Sequence, residues 1–397
     1  MSRTIDHVVC VACNRETYEP LLRIDNATVF SNVLWDDRQA ALAAPRAPMS
    51  LGFCRSCGMI YNVAFNPALM RYGPRYENAL EHSPRFRRYA RALADRLVRT
   101  YDLRGKHVVE IGCGQGRFLA LLARLGNNHA VGYDPSYDPS RAGDDVRSLV
   151  SIRNDYFTAG QIDHPVDFIY GRHVLEHLAD PLPFLREVRV ALAGDPTAAV
   201  YFEVPNALSM VRDLSIWDLL YEHCSYFTAE SLVHLFCRAG FTPVDVAEPY
   251  DGQFLSIEAR PRAAPSDCLE PRWRNPARLA EWARDFEKAY TSIIAGWGRR
   301  LEAMTANGRR PVVWGAGAKG VTFLNVLQAA WERLPYVVDL NPDKHGHYVT
   351  GTGQEIVPPA ALSVYRPDHV IVMNPLYEEE ITRTLRQMGL TPAVALA

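Results

Sequence analysis

A glycine-rich turn between a short apolar strand and a helix constrains the fold of this chain more than any other feature. The strand pattern K-H-V-V-E-I-G covers residues 106–112, and the turn E-I-G-C-G-Q-G covers residues 110–116. The apolar helix pattern R-F-L-A-L-L-A-R-L-G follows directly. Glycine accepts a left-handed backbone and lets a ligand approach the chain closely. The order of strand, glycine turn and helix therefore predicts a ligand-binding loop at the carboxyl edge of a parallel sheet.

The same alternation of strand and helix continues along the middle of the chain. A helix pattern over residues 83–100 precedes the first strand, and another covers residues 181–193. Further strand patterns lie at residues 130–134, 166–170 and 198–204. Alternating strands and helices predict an α/β fold with a central, doubly wound parallel sheet.

A second α/β unit is predicted after a proline-rich stretch at residues 260–271. This stretch interrupts both periodicities and predicts a linker. A long amphipathic helix at about 277–304 and the glycine turn G-A-G-A-K-G at 315–320 follow it. Strand patterns at 336–340 and 369–373 complete a Rossmann-like unit. We therefore expect three domains, at residues 1–82, 83–259 and 260–397.

Two pairs of cysteines mark the first of these domains. Cys-x-x-Cys occurs twice with 40 residues between the pairs, which supplies the thiols of Cys10, Cys13, Cys54 and Cys57. Four thiolates match a closed, tetrahedral zinc site with a structural role. The wide gap requires only that a loop or hairpin lie between the pairs. The alternative interpretation is four unligated core cysteines.

Acidic residues accompany the first glycine turn and fit one of two cofactors. Glu110 precedes the glycines, and Asp134 ends the next strand. A dinucleotide site uses G-x-G-x-x-G to hold a pyrophosphate at a helix terminus. The spacing here is G-x-G-x-G, which favours the cationic, phosphate-free S-adenosylmethionine, with Glu110 at its methionine end and Asp134 at its ribose. The glycines expected to line this site are Gly112, Gly114 and Gly116. A purely structural turn is the alternative.

Two histidine-bearing segments follow strands of the same predicted sheet. They are R-H-V-L-E-H at residues 172–177 and Y-E-H-C-S-Y-F at residues 221–227. Ligands of open α/β sheets bind outside the carboxyl ends of the strands, so both segments can face one pocket. We expect Arg172 and His173 to contact the cofactor. A glutamate beside a histidine can adjust the imidazole for general-base catalysis near neutral pH; hydrogen-bonded structural roles are the alternative.

The second glycine turn, at residues 315–320, can hold a phosphate at a helix N-terminus, with Lys319 adding positive charge. It lacks the Gly-Lys-Ser/Thr end of an ATP-binding loop, which argues against ATP hydrolysis. A structural turn is the alternative here too.

Charge and composition exclude several other classes of protein. The chain has 43 Lys+Arg against 45 Asp+Glu, so it shows no basic footprint for nucleic acid or anionic membrane. It has no run of about 18 apolar residues that would span a membrane. Its first residues lack the pattern of a signal peptide, which predicts a cytoplasmic protein.

The motifs together resemble the three-domain deoxysugar C-methyltransferases. The resemblance covers nearly the whole chain and includes the paired cysteines, E-I-G-C-G-Q-G, R-H-V-L-E-H-L-A-D-P-L, E-H-x-S-Y-F and G-A-G-A-K-G followed by Y-V-V-D-L-N-P-D-K-H-G-H-Y and V-P-P. It implies a class I methyltransferase domain between a zinc-binding module and a Rossmann-like domain. It also implies structural zinc, S-adenosylmethionine, and a nucleotide-diphosphate keto-sugar held between the domains.

The chain departs from the family pattern at two places that concern the substrate pocket. The family's Tyr-x-Glu-His pattern has Leu220 at the tyrosine position, with Tyr221 one place later. The segment Met373-Asn374-Pro375-Leu376-Tyr377 differs from the family's Pro-Trp-Asn version. We therefore expect a retained methyl-transfer scaffold and an altered pocket.

The sequence hypothesis is methylation of the carbon next to the ketone of a nucleotide-linked keto-deoxysugar. A carbon acid must lose a proton before it attacks the sulfonium methyl, so the enzyme needs a base and a group that stabilises an enolate. We assign His223 as the base, Glu222 as the group that orients it, and His177 or Tyr221 to the enolate oxygen. The alternatives are O-methylation of a sugar or natural-product hydroxyl and a non-catalytic binding module. We expect a monomer or weak dimer.

Overall fold

The computed structural model describes residues 8–192, 195, 197–262 and 277–397, and the strands within these ranges form three sheets. The first is antiparallel, with strand order β1-β2-β3-β9. Its strands are β1 (Tyr18–Thr28), β2 (Arg46–Cys54), β3 (Ile60–Asn62) and β9 (Ser225–Tyr226), and helix α1 (Arg38–Leu42) lies between β1 and β2. Because β9 comes from the second histidine-bearing segment, this sheet holds that segment against the N-terminal part of the chain.

The second sheet has seven strands in the order β10-β11-β8-β7-β4-β5-β6. The strands are β4 (His107–Ile111), β5 (His129–Tyr133), β6 (Ser151–Arg153), β7 (Phe168–Arg172), β8 (Ala199–Pro205), β10 (Phe241–Ala247) and β11 (Phe254–Pro261). The helices are α2 (Pro84–Thr100), α3 (Arg117–Gly126), α4 (Asp144–Arg147), α5 (Pro181–Ala191), α6 (Ala207–Val211) and α7 (Ala229–Ala239). The strand order reverses between β4 and β7, which is where ligands of doubly wound sheets bind.

The predicted α/β fold is confirmed, with one difference in the sheet. Strands β4 to β8 are parallel, but β11 pairs antiparallel with both β8 and β10. The connection between β10 and β11 is short and carries positive φ angles at Tyr250, Asp251 and Gly252. A short turn can join only antiparallel neighbours, because a parallel pair needs a long crossover.

The third sheet is parallel, with strand order β14-β13-β12-β15-β16. Its strands are β12 (Pro311–Trp314), β13 (Tyr336–Val338), β14 (Glu355–Val357), β15 (His369–Val372) and β16 (Ala393–Leu396). The helices are α8 (Ala277–Thr305), α9 (Ala318–Val326), α10 (Leu362–Tyr365) and α11 (Glu378–Gln387).

The predicted boundary at residue 260 falls inside a strand. Arg260 and Pro261 pair with Thr242 and Phe241 and so belong to β11. Proline is tolerated at the end of a strand, where no further ladder bond is needed. Most of the predicted linker lies outside the described residues. No helix in the described ranges has the length and apolar character needed to cross a membrane.

Helix α2 shows how local sequence sets an element that packs the central sheet. Ser83 caps it by accepting a hydrogen bond from the backbone N–H of Phe86, and Pro84 occupies the first turn, where its missing N–H costs nothing. The helix buries Phe86 and, at helical spacing along the same face, Ala90, Leu93, Ala94 and Leu97.

The first turn of helix α9 requires glycine at position 320. A Cβ on Gly320 would lie 1.9 Å from the backbone oxygen of Gly315, which cannot move as a flexible side chain would. We expect Gly320→Ala to lower the free energy of unfolding by about 1–3 kcal/mol through overpacking. Gly296→Ala, in helix α8 with no atom within 4 Å, is the matched control and should raise it by up to about 1 kcal/mol. Chemical denaturation measures both, and equal effects of the two substitutions would contradict this packing.

Candidate active site

A cavity of about 300 Å³ lies where the three sheets meet. All three parts of the chain line it, through residues that include Tyr76, His177, His223, Gln253, Lys319 and Asn374. Contacts across the cavity hold the parts together: the side-chain amides of Gln253 and Asn374 exchange hydrogen bonds of 3.0 and 2.9 Å. Both histidine-bearing segments and the second glycine turn therefore face one enclosed space.

The first glycine turn follows β4 and opens α3, and its glycines have left-handed φ angles of 70° at Gly112, 53° at Gly114 and 73° at Gly116. A Cβ at Gly112 would lie 2.4 Å from Val174, and one at Gly116 would lie 2.4 Å from Ile152. Nothing lies within 4 Å of a Cβ at Gly114. The loop is thus packed on two glycines and open at the middle one, which leaves room for a ligand against the backbone.

Two carboxyl groups accompany this loop, as the sequence predicted. Asp134 accepts hydrogen bonds from the backbone N–H of Gly114 (2.7 Å) and from the N–H and hydroxyl of Ser136 (2.7 and 2.6 Å). Asp134 therefore braces the loop; its contact with a ribose stays a prediction. Glu110 is buried and accepts a hydrogen bond of 3.1 Å from the hydroxyl of Tyr170.

Burial raises the pKa of Glu110 to about 8, although Arg172 opposes the shift. A buried carboxyl group that is short of a positive partner fits a cationic ligand, because an ammonium group beside it would favour the ionised form. The residues of this loop therefore fit S-adenosylmethionine, which is positively charged and carries no phosphate.

Arg172 is the last residue of β7, and His173 follows it. The two side chains lie in different surroundings. Arg172 donates a hydrogen bond of 3.0 Å from Nε to Glu203 and covers the ring of Phe118, and all three are buried. His173 lines the cavity and has a left-handed φ of 57°, an unusual conformation for a residue other than glycine. The contacts of both residues with the cofactor stay predictions.

His223 lines the cavity with a buried imidazole. Its ring centroid lies 4.9 Å from that of His177, and its buried Nδ1 has no hydrogen-bond partner among the described residues. Burial is the main cause that moves the pKa of His223 well below the ordinary value, and the imidazoles of His177 and His173 add to the shift. His223 is therefore uncharged at neutral pH and able to accept a proton.

The structure corrects the role predicted for Glu222. Its carboxylate accepts hydrogen bonds from the backbone N–H of Ser31 (2.6 Å) and the hydroxyl of Tyr76 (2.8 Å). No hydrogen bond joins Glu222 to His223 in the described part of the chain, because the two adjacent side chains point in different directions. Glu222 holds the N-terminal part of the chain in place and does not orient the imidazole of His223 through a hydrogen bond. Burial raises its pKa.

His177 and Tyr221, the two groups predicted near the enolate oxygen, lie in different places. The hydroxyl of Tyr221 accepts a hydrogen bond of 2.9 Å from the backbone N–H of Asn66, and its ring packs on Phe65, so it lies away from the cavity that contains His223. His177 lines that cavity, with Nδ1 2.8 Å from the hydroxyl of Tyr72 and 3.1 Å from the carbonyl of Glu222. The assignment of Tyr221 is therefore wrong, while His177 stays a candidate.

Sequence reasoning missed Tyr72 and Tyr76. They lie in the N-terminal part of the chain, with ring centroids 5.0 Å apart, and contact His177 and Glu222 respectively. Burial raises the pKa of both hydroxyls, so both remain donors. The sequence R-Y-G-P-R-Y at residues 71–76 places these two tyrosines around a Gly-Pro pair. The segment belongs to the part of the chain that was predicted only as a zinc-binding domain.

The second glycine turn carries its own polar partners. Asp339, at the end of β13, accepts a hydrogen bond of 2.9 Å from the backbone N–H of Ala316. Lys319 donates to Asp218 (2.7 Å), and the buried Lys344 donates to the carbonyl of Ala316 (3.1 Å). Two ammonium groups thus stand at the N-terminal end of α9 and line the shared cavity.

The four paired cysteines converge in the N-terminal part of the chain. Their sulfur atoms lie within 4.8 Å of one another and form no disulfide. The distances are 3.6 Å between Cys10 and Cys57 and 3.5 Å between Cys13 and Cys54. Tetrahedral zinc with bonds of about 2.3 Å sets its sulfurs about 3.8 Å apart, so the donor set fits zinc.

Two family models match the chain. Residues 82–246 match a methyltransferase domain, and residues 275–391 match a C-methyltransferase C-terminal domain. The protein is an S-adenosylmethionine-dependent methyltransferase. The enzyme is 24% identical to the C-methyltransferase NovU of Streptomyces niveus over 96% of its own length and 92% of NovU. It is 29% identical to a tRNA U34 carboxymethyltransferase of Campylobacter hominis over 23% of its own length and 34% of that protein.

Similar solved structures include the dimethyltransferase RosA of Streptomyces davawensis, with 24% identity over 44% of this chain and 56% of that chain, at a TM-score of 0.37. Another is a magnesium protoporphyrin IX methyltransferase of Synechocystis with bound S-adenosylhomocysteine. It is 14% identical over 44% of this chain and 83% of that chain, at a TM-score of 0.34.

The packing around Gly112 gives a direct test of the cofactor loop. We expect Gly112→Ala to weaken binding of S-adenosylhomocysteine at least about tenfold, because the added Cβ meets Val174 where the backbone is already left-handed. Gly105→Ala is the matched control: Gly105 has a similar φ of 64°, and nothing lies within 4 Å of its Cβ. Calorimetric titration measures both affinities. Unchanged affinity in Gly112→Ala would show that the ligand binds elsewhere.

Proposed function

We propose that the enzyme methylates the carbon next to the ketone of a nucleotide-linked keto-deoxysugar, through an enolate formed by His223. The observation that carries this proposal is the neutral, buried imidazole of His223 in a cavity that also meets the second glycine turn. We further propose a cytoplasmic enzyme that acts as a monomer or weak dimer.

Two similarities support carbon as the methylated atom. The C-methyltransferase C-terminal domain matched by residues 275–391 lies outside the methyltransferase domain matched by residues 82–246. Similarity to NovU extends over nearly the full length of both chains. Agreement in the domain that accompanies the catalytic fold favours the same class of reaction.

The chemistry assigned to His223 is removal of a proton from carbon. The hydrogen next to a ketone is acidic enough for imidazole because the carbonyl takes up the electron pair as an enolate. The proton passes to His223, and the electrons of the broken C–H bond then form the new bond to the methyl group. S-adenosylmethionine, when bound, would supply that methyl group from its positively charged sulfur, which would keep the electron pair of the broken carbon–sulfur bond and become neutral. The proton on His223 leaves to solvent after transfer.

We assign stabilisation of the enolate oxygen to His177. Tyr72 and the carbonyl of Glu222 hold its Nδ1, which fixes the ring beside His223. A polar group fixed before the reaction stabilises developing charge without having to reorganise.

The nucleotide diphosphate is assigned to the second glycine turn. Helix α9 directs its N-terminus at the cavity, and the ammonium groups of Lys319 and Lys344 stand there beside the carboxylates of Asp218 and Asp339. Backbone N–H groups and ammonium groups are the usual partners of phosphate. The sugar would then lie between this turn and His223, which places its ketone near the base.

O-methylation is the second candidate, and Leu220 is the observation that favours it. Leu220 lines the cavity at the position of the family's tyrosine. An apolar side chain removes a hydroxyl from the pocket. In this case His223 would deprotonate an alcohol, and no enolate would form.

Replacement of the base gives a direct test. With a nucleotide-linked 4-keto-6-deoxysugar, S-adenosylhomocysteine and deuterated water, we expect the enzyme to exchange the hydrogen next to the ketone. His223→Asn should slow this exchange about 10²–10⁴-fold, the usual contribution of a general base. Because its pKa is lowered, wild-type exchange should stay constant as pH falls through about 6.5, where an ordinary histidine becomes protonated.

The matched control is His129→Asn, which changes an exposed histidine outside the cavity and should leave exchange unchanged. Binding of S-adenosylhomocysteine should be normal in both variants. Full exchange by His223→Asn would remove His223 from the mechanism. Absence of exchange by wild-type enzyme with bound sugar would shift the assignment to O-methylation.

We also propose a structural zinc ion at Cys10, Cys13, Cys54 and Cys57. The purified enzyme should contain about one zinc per chain, and Cys54→Ser should lose the metal and lower the melting temperature. Methyl transfer should fall as well, because Tyr72 and Tyr76 of the same part of the chain contact His177 and Glu222. Elemental analysis and thermal unfolding test this. A zinc-free enzyme of full activity would contradict it.

A further inference from the structure

Among the described residues that line the cavity, Glu176 carries the one buried carboxyl group, and the proposed mechanism has not used it. Glu176 follows β7 in the R-H-V-L-E-H segment and is 1% exposed. Neither of its carboxylate oxygens has a hydrogen-bond partner among the described residues. A buried carboxylate without partners is strongly disfavoured, so its retention beside an active site points to a specific use.

Three imidazoles surround this carboxylate. Nδ1 of His173 lies 3.4 Å from one of its oxygens. A ring nitrogen of His177, a ring nitrogen of His223 and a carboxylate oxygen of Glu176 all lie within 4.8 Å of one another. Two hydrogen bonds of about 2.8 Å that meet at one water molecule span about 4.6 Å. The spacing is therefore suited to a single water that Glu176 shares with the two histidines.

The other carboxylates near the base already have partners. Glu222 accepts from Ser31 and Tyr76. Glu203 is paired with Arg172, and the hydroxyl of Tyr201 also donates to it. Glu176 is thus the carboxylate left to compensate a positive charge that forms on His223.

We propose that Glu176 is the positioning residue of the base: through a shared water it orients the His223 ring and balances the charge of the imidazolium that forms when the substrate proton is taken. This inference rests on the proposed function, because it needs His223 as the base. It gives Glu176 the role that the sequence assigned to Glu222. No atom of Glu176 bonds to substrate, and the proton stays on His223 until it leaves to solvent.

The other groups that face His223 leave stabilisation of its imidazolium to Glu176. His177 and His173 are the nearest imidazoles and oppose a positive charge, and Tyr226 contacts the ring from the other side, at a centroid distance of 6.1 Å. Tyr72 and Glu222 contact His177. Of the two carboxyl groups near His223, that of Glu222 already accepts hydrogen bonds from Ser31 and Tyr76, whereas that of Glu176 has no hydrogen-bond partner among the described residues.

The test compares the pH profile of hydrogen exchange in Glu176→Gln, Glu176→Asp and wild-type enzyme, with the keto-sugar and S-adenosylhomocysteine bound. Removal of the negative charge makes the imidazolium less stable and the base weaker. Glu176→Gln should therefore lower the plateau rate of hydrogen exchange at least about tenfold. It should also move the acid limb of the pH–rate profile, where protonation of His223 stops exchange, to a pH about one unit lower. Glu176→Asp should keep the wild-type acid limb and recover part of the rate, while KM changes little in either variant.

Glu258→Gln is the matched control, since Glu258 is a buried glutamate that contacts Arg96 and Tyr101 away from the cavity. It should reproduce any general loss of stability without moving the acid limb. Two results would overturn the inference: an unmoved acid limb in Glu176→Gln, or equal rates in Glu176→Gln and Glu176→Asp. If the proposed function itself is wrong, hydrogen exchange survives in His223→Asn. That result distinguishes failure of the proposed function from failure of the inference about Glu176.

Discussion

The hydrogen bonds of the buried Glu222 carboxylate hold the active site together. They join the loop that carries His223 to the backbone of Ser31 and the hydroxyl of Tyr76, which lie far away in the sequence. Pairing of β3 with β9, through Ile60 and Tyr226, fixes the same loop from its other end. The N-terminal part of the chain therefore sets the position of His223, the proposed base, although it provides neither the cofactor loop nor the second glycine turn. A proposed zinc ion would stabilise the site from a distance by keeping that part folded.

Two glycine turns from different sheets provide further polar groups, and of the two only the second is among the described residues that line the cavity. Each turn is braced by an acidic residue from the next strand: Asp134 accepts from Gly114, and Asp339 accepts from Ala316. The two turns share this construction but differ in the charge around them. The first has the buried Glu110, whose hydrogen bond comes from the uncharged hydroxyl of Tyr170. At the second stand the ammonium groups of Lys319 and Lys344, with Asp218 and Asp339 beside them. These differences suit the proposed placement of S-adenosylmethionine at the first turn and of a nucleotide-linked substrate at the second.

Local sequence patterns predicted the helices, the strands and the glycine turns, but they did not predict the contacts between segments that are distant in the sequence. The loop at Gly112–Gly116 was predictable because its backbone geometry restricts residue choice within one turn. The direction of Glu222 was not, because its partner Ser31 lies 191 residues away along the chain. Tyr221 was misplaced for a similar reason: the short segment around it has no periodicity that fixes which side faces the cavity. Tyr72 and Tyr76 have no distinctive motif, and only the assembled fold brings them to His177 and Glu222. Glu176 lies in the R-H-V-L-E-H motif, but its closeness to His223, which is 47 residues later in the chain, also depends on the assembled fold.

The central claim is that the new methyl group is bonded to carbon. The most direct measurement uses S-adenosylmethionine carrying a ¹³C-labelled methyl group, a nucleotide-linked 4-keto-6-deoxysugar enriched in ¹³C at its ring, and NMR of the product. The account predicts a one-bond carbon–carbon coupling between the labelled methyl and the ring carbon next to the ketone. A labelled methyl without that coupling, at the chemical shift of a methyl ether, would contradict the account and establish O-methylation.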